Sequence, residues 1–245
     1  MESTHIEVHN GSILKKANHV RFVCISDTHD YTDNLILPDG DVLIHAGDFT
    51  LEGNYMEVAK FNHFLSKQKH KYKIVIAGNH DFSFDSNKYN ELLQLHELPY
   101  QASSKEIKSL LKNCIYLEDS YVRIYGYKIY GSPWTKEHYP GAFTIASSSE
   151  IQRKWMMIPD NTDILVTHSP SYMTLDLTIK YHNAGCQYLA EELLRVRPKV
   201  HIFGHIHESS GWIENRGITS INAAVCNRRY QPNNPAKIFD LPRLG

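Results

Sequence analysis

The nine residues Lys73-Ile74-Val75-Ile76-Ala77-Gly78-Asn79-His80-Asp81 carry the reading of the fold. Residues 73–77 form an apolar, largely β-branched run with no polar alternation past its first residue, the pattern of a strand covered on both faces. The run stops at a glycine, and an amide, an imidazole and a carboxylate follow in adjacent positions. Working outward, the same construction recurs. Residues 20–26 (VRFVCIS) end at Asp27-Thr28-His29, and residues 41–46 (DVLIHA) at Gly47-Asp48. Residues 163–167 (DILVT) end at His168, and residues 199–203 (KVHIF) at Gly204-His205-Ile206-His207.

Between these runs the period changes. Met56, Ala59, Phe61, Phe64 and Leu65 recur at roughly helical spacing between Asn54 and His70, so strand, helix and strand follow one another. Residues 88–97 and 103–112 read as short helices around Pro99, the second capped by Ser103 or Ser104. Residues 114–131 hold three closely spaced strands (CIYLE, YVRIY, YKIYG) with a turn at Gly126, which predicts antiparallel pairing and the start of a second sheet block. A helix over 187–197 is stopped by Pro198. Residues 218–225 and 237–241 read as further strands, and Gln231–Pro235 as a turn cluster. The fold class expected is α/β with two sheet blocks. The ligand-bearing motifs must converge on one cleft, so residues 1–245 are expected to form one domain with its motif-bearing core at about 20–241.

Composition narrows the function. With 26 basic and 27 acidic residues the formal net charge is -1, which argues against stable, sequence-independent binding to nucleic acid or an anionic membrane. Cys24, Cys114, Cys186 and Cys226 are widely spaced and lack any C-x-x-C pair, so reduced packing roles are expected. No apolar stretch approaches the roughly 20 residues of a membrane span. The polar start Met1–His5 lacks a signal-peptide layout, and a cytoplasmic location is expected.

A ligand placed just after a strand is delivered by a short loop to the crevice at the carboxyl ends of an open α/β sheet. Asp27, His29, Asp48, Asn79, His168, His205 and His207 therefore form a candidate donor set of hard oxygens and borderline nitrogens, enough for two divalent ions. Asp27 and His29, two apart, are placed to grip one ion together, while Asp48 stands alone and is placed to bridge. Two such ions suit phosphoester hydrolysis. His80, adjacent to Asn79, must project elsewhere and is expected to face substrate as a proton donor or transition-state stabiliser, with Asp81 orienting it. The ten histidines outside these motifs, His45, His63, His96 and His201 among them, take packing or surface roles. Trp134, His138, Tyr139 and Phe143 sit in a Pro/Gly-rich loop that reads equally well as a base-stacking element or a structural loop. Arg228 and Arg229 read as solvated.

The motifs D-x-H, G-D, G-N-H-D, H and G-H-x-H, in this order, resemble those of the calcineurin-like metallophosphoesterase superfamily from Val20 to Leu241. The resemblance implies a four-layer α/β/β/α sandwich of two facing mixed sheets flanked by helices. It also implies Asp27, His29 and His207 on the first metal, Asn79, His168 and His205 on the second, and Asp48 between them. Outside the metal motifs, Gly131-Ser132-Pro133-Trp134, Phe203–Glu208, Ile221–Ala224, Asn234-Pro235 and Ile238–Pro242 are most similar to the metallophosphoesterase domain-containing group. That group implies phosphodiester hydrolysis, cyclic nucleotides included. Some of its members carry glycine in the last metal motif and are weak catalysts, whereas this chain keeps His205 and His207. The cofactors expected are two divalent ions, manganese ahead of iron or zinc, and the partner a small phosphoester, a nucleotide among the candidates. Two alternatives stand: a phosphomonoesterase or protein Ser/Thr phosphatase, and a weakly catalytic regulator that binds metal and nucleotide.

Overall fold

The structure, a computed structural model, describes residues 6–11 and 13–244; the start Met1–His5 lies outside the described residues. Its strands are β1 (Val8–His9), β2 (His19–Ile25), β3 (Val42–Ala46), β4 (Tyr72–Ile76), β5 (Ile115–Tyr116), β6 (Ser120–Ile124) and β7 (Tyr127–Ser132). They continue with β8 (Thr135–Lys136), β9 (Thr144–Ile145), β10 (Ile164–Thr167), β11 (Val200–Phe203), β12 (Gly211–Asn215), β13 (Ile218–Asn222) and β14 (Lys237–Pro242). The helices are α1 (Tyr55–Lys67), α2 (Tyr89–Leu95), α3 (Ser104–Lys108), α4 (Ser148–Met156) and α5 (Gln187–Val196).

The uninterrupted apolar runs have the two-sided burial that their sequence predicts. On β2, Phe22 and Cys24 face a core shared with Ile44, Ile76, Ile129, Val166 and Ile202, whereas Val23 and Ile25 face the opposite side. The first set fills the space between two six-stranded sheets, ordered β1-β14-β2-β3-β4-β5 and β12-β13-β11-β10-β7-β6. Both sheets are mixed. In the first, β2 to β5 run parallel and β14 antiparallel beside β2; in the second, β7, β10, β11 and β13 run parallel between antiparallel edges β6 and β12. Helices α1, α2 and α3 cover the outer face of the first sheet through Val58, Phe61, Leu92 and Ile107. Helices α4 and α5 cover the second through Trp155, Leu189 and Leu193. The result is α/β/β/α, and the carboxyl ends of both sets of parallel strands open on one side.

Several boundaries differ from expectation for physical reasons. Helix α1 begins where Asn54 accepts from Glu57 N–H and Glu57 reaches back to the cap, a reciprocal box that leaves Met56 exposed. The same box at Ser103 and Glu106 starts α3, which runs only to Lys108. Strand β5 joins β4 in the first sheet rather than pairing with β6, and the chain crosses to the second sheet at Asp119, in a left-handed conformation. Strand β13 ends at Asn222 because Ala224 leaves the second sheet to bridge Ser26 of the first, which ties the two sheets together at their open end. Helix α4 buries Ile151 and Trp155, four apart on an otherwise polar segment, whereas strand β12 and the short pieces β1, β8 and β9 have no clear periodic signal. The four cysteines are free, as expected. Among the described residues no helix is long and apolar enough to cross a membrane.

The Phe22 ring stacks on Phe239 at 4.9 Å and meets Tyr127 of the second sheet edge-on at 6.1 Å. Phe22→Ala is expected to cost about 3–5 kcal/mol, because a fully buried aromatic leaves a cavity that rigid sheets cannot close. Chemical denaturation measures it, and a loss under about 1 kcal/mol would contradict an inter-sheet core of this density.

Candidate metal centre

Three of the five motif loops leave their strands in turns that the backbone tolerates poorly. Asp27, His29, Asp48 and His205 all have positive φ, at 54°, 43°, 55° and 68°. Such conformations cost roughly 1–3 kcal/mol each at non-glycine residues and persist only where surroundings enforce them. Here the loops are laced to one another. Asp27 N–H donates to Gly47 O, His29 N–H to Asp48 O, Gly204 N–H to His168 O, and Val225 N–H to Ser26 O. The lacing draws loops from both sheets into one mouth. Gly204 is required for the closeness: a Cβ there would lie 1.9 Å from Asp27 Oδ2. Gly78 is similar, with Asp48 Oδ1 at 2.3 Å from the place of a Cβ.

At this mouth the donor atoms of Asp27, His29 and His207 lie within 4.8 Å of one another, as do those of Asp48, His168 and His205, and of His29, Asp48 and His80. Asn79 joins the second group, its Oδ1 lying 3.0 Å from His168 Nε2. Asp48 belongs to two groups: its Oδ2 is 3.2 Å from His168 Nε2 and 3.9 Å from His29 Nε2. Every residue singled out from the sequence as a candidate ligand is therefore in one place.

The tautomers of three rings follow from their partners. A carbonyl oxygen can only accept, so His168 Nδ1–H donates to Ala46 O, His207 Nδ1–H to Asn227 O, and His80 Nδ1–H to Leu51 O. A neutral ring held this way turns the Nε2 lone pair of His168 and His207 into the cluster, the arrangement that orients histidine ligands in metal sites. His29 Nε2 and His207 Nε2 face each other at 3.1 Å.

The electrostatics call for positive charge. Burial works to raise the carboxyls of Asp27 and Asp48, yet both fall below the ordinary carboxylate range, Asp27 chiefly through His207 and Asp48 chiefly through His168. Burial would also lower His168, but the Asp48 carboxylate outweighs it and holds the imidazole up to about 9. A proton there occupies the ground a cation would take. His29 and His205 are instead pushed down by burial, to about 4 and about 3. The residues fit a pair of divalent cations in both donor chemistry and charge.

Asp81 differs from expectation. Its Oδ2 accepts from Gly78 N–H (2.7 Å) and Asp48 N–H (2.9 Å), and its Oδ1 from Thr50 N–H (2.9 Å) and the Thr50 hydroxyl (2.6 Å). It clamps the Gly-Asp and Gly-Asn loops together and leaves the ring of His80 to Leu51 O. Burial, with the charge of Asp48 added, pushes the Asp81 carboxyl up to about 8, and the four donors resist by favouring the ionised form.

Some residues that matter to the geometry carry no motif in the sequence. Tyr230 stands over the cluster with its ring 4.7 Å from His29 and 5.5 Å from His207, and with Arg228 it lines a cavity of about 430 Å³ above the site. The turn cluster at 231–235, so close after a strand end, was the available signal. Of the aromatic loop, Trp134 donates to Asp119 and Phe143 is buried, while His138 and Tyr139 line a cavity reaching Asn79 and His205. His45 and His201 are packed, as expected, but each has a specific partner: Nε2 lies 2.9 Å from the hydroxyl of Thr28 and of Thr167, beside ligand positions on either sheet. Because the Thr167 hydroxyl donates to Ser169 O, His201 must donate from Nε2.

Imidazoles, carboxylates and an amide gathered at the shared strand ends of two facing sheets are the donor set of a metal-dependent hydrolase. The calcineurin-like phosphoesterase family model matches residues 20–209, and the chain belongs to that family, which usually binds divalent metals. Human metallophosphoesterase domain-containing protein 1 is 44% identical over 237 residues, covering 93% of this chain and 73% of that protein. A Caenorhabditis elegans UPF0046 protein is 42% identical over 233 residues, covering 92% of this chain and 82% of its own. A solved crystal structure aligns at a TM-score of 0.59 with 13% identity over 83% of this chain and 90% of that one, a likeness of fold.

Burial alone holds His201 down to about 3 from its ordinary 6.5. The folded ring stays neutral while the unfolded ring takes up a proton below pH 6.5, so its contribution lowers stability as pH falls from 6.5 towards 3. His201→Gln, which keeps an N–H for Thr167 and does not titrate, is expected to flatten the fall in stability below pH 6.5 by roughly 1 kcal/mol per pH unit. Urea unfolding at pH 7.5, 6 and 5 checks it; parallel curves for variant and parent would refute a neutral buried ring.

Proposed function

We propose that this phosphoesterase is a phosphodiesterase for small diesters such as cyclic nucleotides, working with two divalent cations, manganese first. Asp27, His29 and His207 would hold one cation, Asn79, His168 and His205 the other, with Asp48 between them. When bound, such ions polarise a phosphoryl oxygen and lower the pKa of water. The position of Asp48 carries the two-ion reading: its Oδ2 lies 3.9 Å from His29 Nε2 of one ligand set and 3.2 Å from His168 Nε2 of the other.

The preference for diesters rests on the surroundings of the cluster. A second cavity, of about 360 Å³, shares Asn79, Tyr139 and His205 with the one above the cluster, and a third, of about 330 Å³, reaches the cluster at His29. A linear diester has two separate arms to lodge, and the two hollows suit it; in a cyclic nucleotide both ester oxygens belong to one ribose, which would lodge in one of them. His80 supports the chemical step: its backbone N–H is held by Asp48 Oδ1 at 2.8 Å and its Nδ1–H by Leu51 O, so Nε2 remains free to face the cavity. From there it would protonate the departing oxygen or hydrogen-bond the charge that develops on phosphorus-bound oxygens. Asp81 acts on this geometry as a positioning residue, by fixing the loops of Asp48 and Asn79. One domain, 1–245, is the reading that accommodates ligands from both sheets.

Chelated protein is expected to lose, and Mn²⁺ to restore, hydrolysis of bis(4-nitrophenyl) phosphate well above that of 4-nitrophenyl phosphate; the reverse preference would favour a phosphomonoesterase. Asp48→Ala should lose both bound manganese and activity. His80→Ala should keep its manganese and lose about a hundredfold or more in kcat on an alkyl ester, whose poor leaving group needs the proton. Equal rates for metal-loaded variant and parent on that ester would remove His80 from the proton-transfer role.

A further inference from the structure

The two cavities beside the cluster have opposite electrostatic character. On the His29 side the walls include Asp30 and Asp33, and the nearby cation is already engaged: Lys60 Nζ lies 3.0 Å from a carboxylate oxygen of each and 2.8 Å from Asp30 O. On the Asn79 and His205 side the walls include Lys136 and His138 from the segment after β7, and Thr178 and His182 from a turn closed by Thr178 N–H donating to His182 O. Among the described residues no Asp or Glu lines this second cavity; Glu208 stands next to it, its Oε1 engaged by Ile179 N–H at 2.8 Å. Lys136 is exposed and forms no ion pair among the described residues. An ammonium, two imidazoles and a hydroxyl, with no carboxylate among them, form a surface suited to an oxyanion.

We propose that this flank is a subsite for a second phosphoryl group, so that the preferred substrate is a small phosphodiester with one phosphorylated arm. The inference rests on the phosphodiesterase reading above and names the substrate class for the same site. The scissile phosphate lies over the cluster, and the phosphorylated arm extends past Asn79 and His205 to Lys136 and His182. The other arm turns toward the His29 side, whose carboxylates repel a second anion. In the reaction a water oxygen bonds to the scissile phosphorus, the bond from that phosphorus to the departing oxygen breaks, and the departing oxygen takes a proton. The second phosphoryl group is unchanged and serves only to bind. Lys136 is exposed and its single contact is screened by water, so the affinity gain of about tenfold is expected from Lys136, His182 and Thr178 acting together.

The test uses a matched pair of diesters, thymidine 5′-(4-nitrophenyl phosphate) with and without a 3′-phosphate, on the manganese-loaded chain. Both release 4-nitrophenolate, and they differ by one phosphoryl group. The 3′-phosphorylated diester is expected to have a kcat/KM about tenfold higher or more, mainly through a lower KM. That ratio should fall close to one in the Lys136→Met/His182→Ala variant, whose replaced side chains are exposed. A ratio near one in the parent, or a preference that survives the double substitution, would overturn the subsite. Failure to hydrolyse either diester would instead refute the phosphodiesterase reading. Calorimetric titration then decides the subsite independently: thymidine 3′,5′-bisphosphate should bind about tenfold more tightly than thymidine 5′-monophosphate, and equal affinities would overturn it.

Discussion

Asp27 and Asp48 are two buried carboxylates at the mouth of two sheets, and their charge organises what surrounds them. Removing an ionised carboxylate from water costs several kcal/mol even after the surroundings relax, and two close together also repel. The chain offsets this with directed donors. His205 N–H points at both oxygens of Asp27, His80 N–H at Asp48 Oδ1, and the rings of His207 and His168 stand 3.3 Å and 3.2 Å from the two carboxylates. Such a cluster has a place for cations built into its electrostatics. It also fixes the loops, because the compensating donors come from three motifs other than those that carry the two carboxylates.

The four-layer fold makes that convergence achievable. Parallel strands deliver their carboxyl ends to one side, and two sheets packed through Phe22, Ile44, Ile129 and Ile202 bring two such edges face to face. Where the sheets meet, Ala224 bridges to Ser26, so the positions of Asp27 and of the turn bearing Asn227 are set together. Asn227 O in turn fixes the tautomer of His207. Left-handed backbone at four ligand positions is the conformational cost of aiming short side chains inward from strand ends. Asp81, with four donors on its two oxygens, holds two of those loops in register.

Much of this was legible in the sequence because the signals were local. Apolar runs without alternation gave β2, β3, β4, β10 and β11, and a residue one or two places after each run lies at the cluster, so closeness to a strand end was enough to bring Asp27, Asp48, Asn79, His168 and His205 into view. What depended on tertiary pairing was hidden. Strand β14 is inserted antiparallel between β1 and β2, and β5 belongs to the first sheet, because long-range register rather than period chooses the neighbour. Beside His80 in sequence, Asp81 looked like its orienter; in space its carboxylate faces the backbone of the loops behind it. Tyr230 reaches the site through a turn from β13 that no periodicity marks, and nothing in the sequence sets His45 and His201 apart from other core histidines, because Thr28 and Thr167 come beside them only in the fold.

The central claim is that this cluster holds two cations joined by Asp48. Crystals of the chain grown with Mn²⁺, measured at the manganese absorption edge, test it most directly. The account predicts two anomalous peaks about 3.5–4 Å apart, one among Asp27, His29 and His207, the other among Asn79, His168 and His205, with the Asp48 carboxylate between them. A single peak, or peaks that leave Asp48 unliganded, would contradict it.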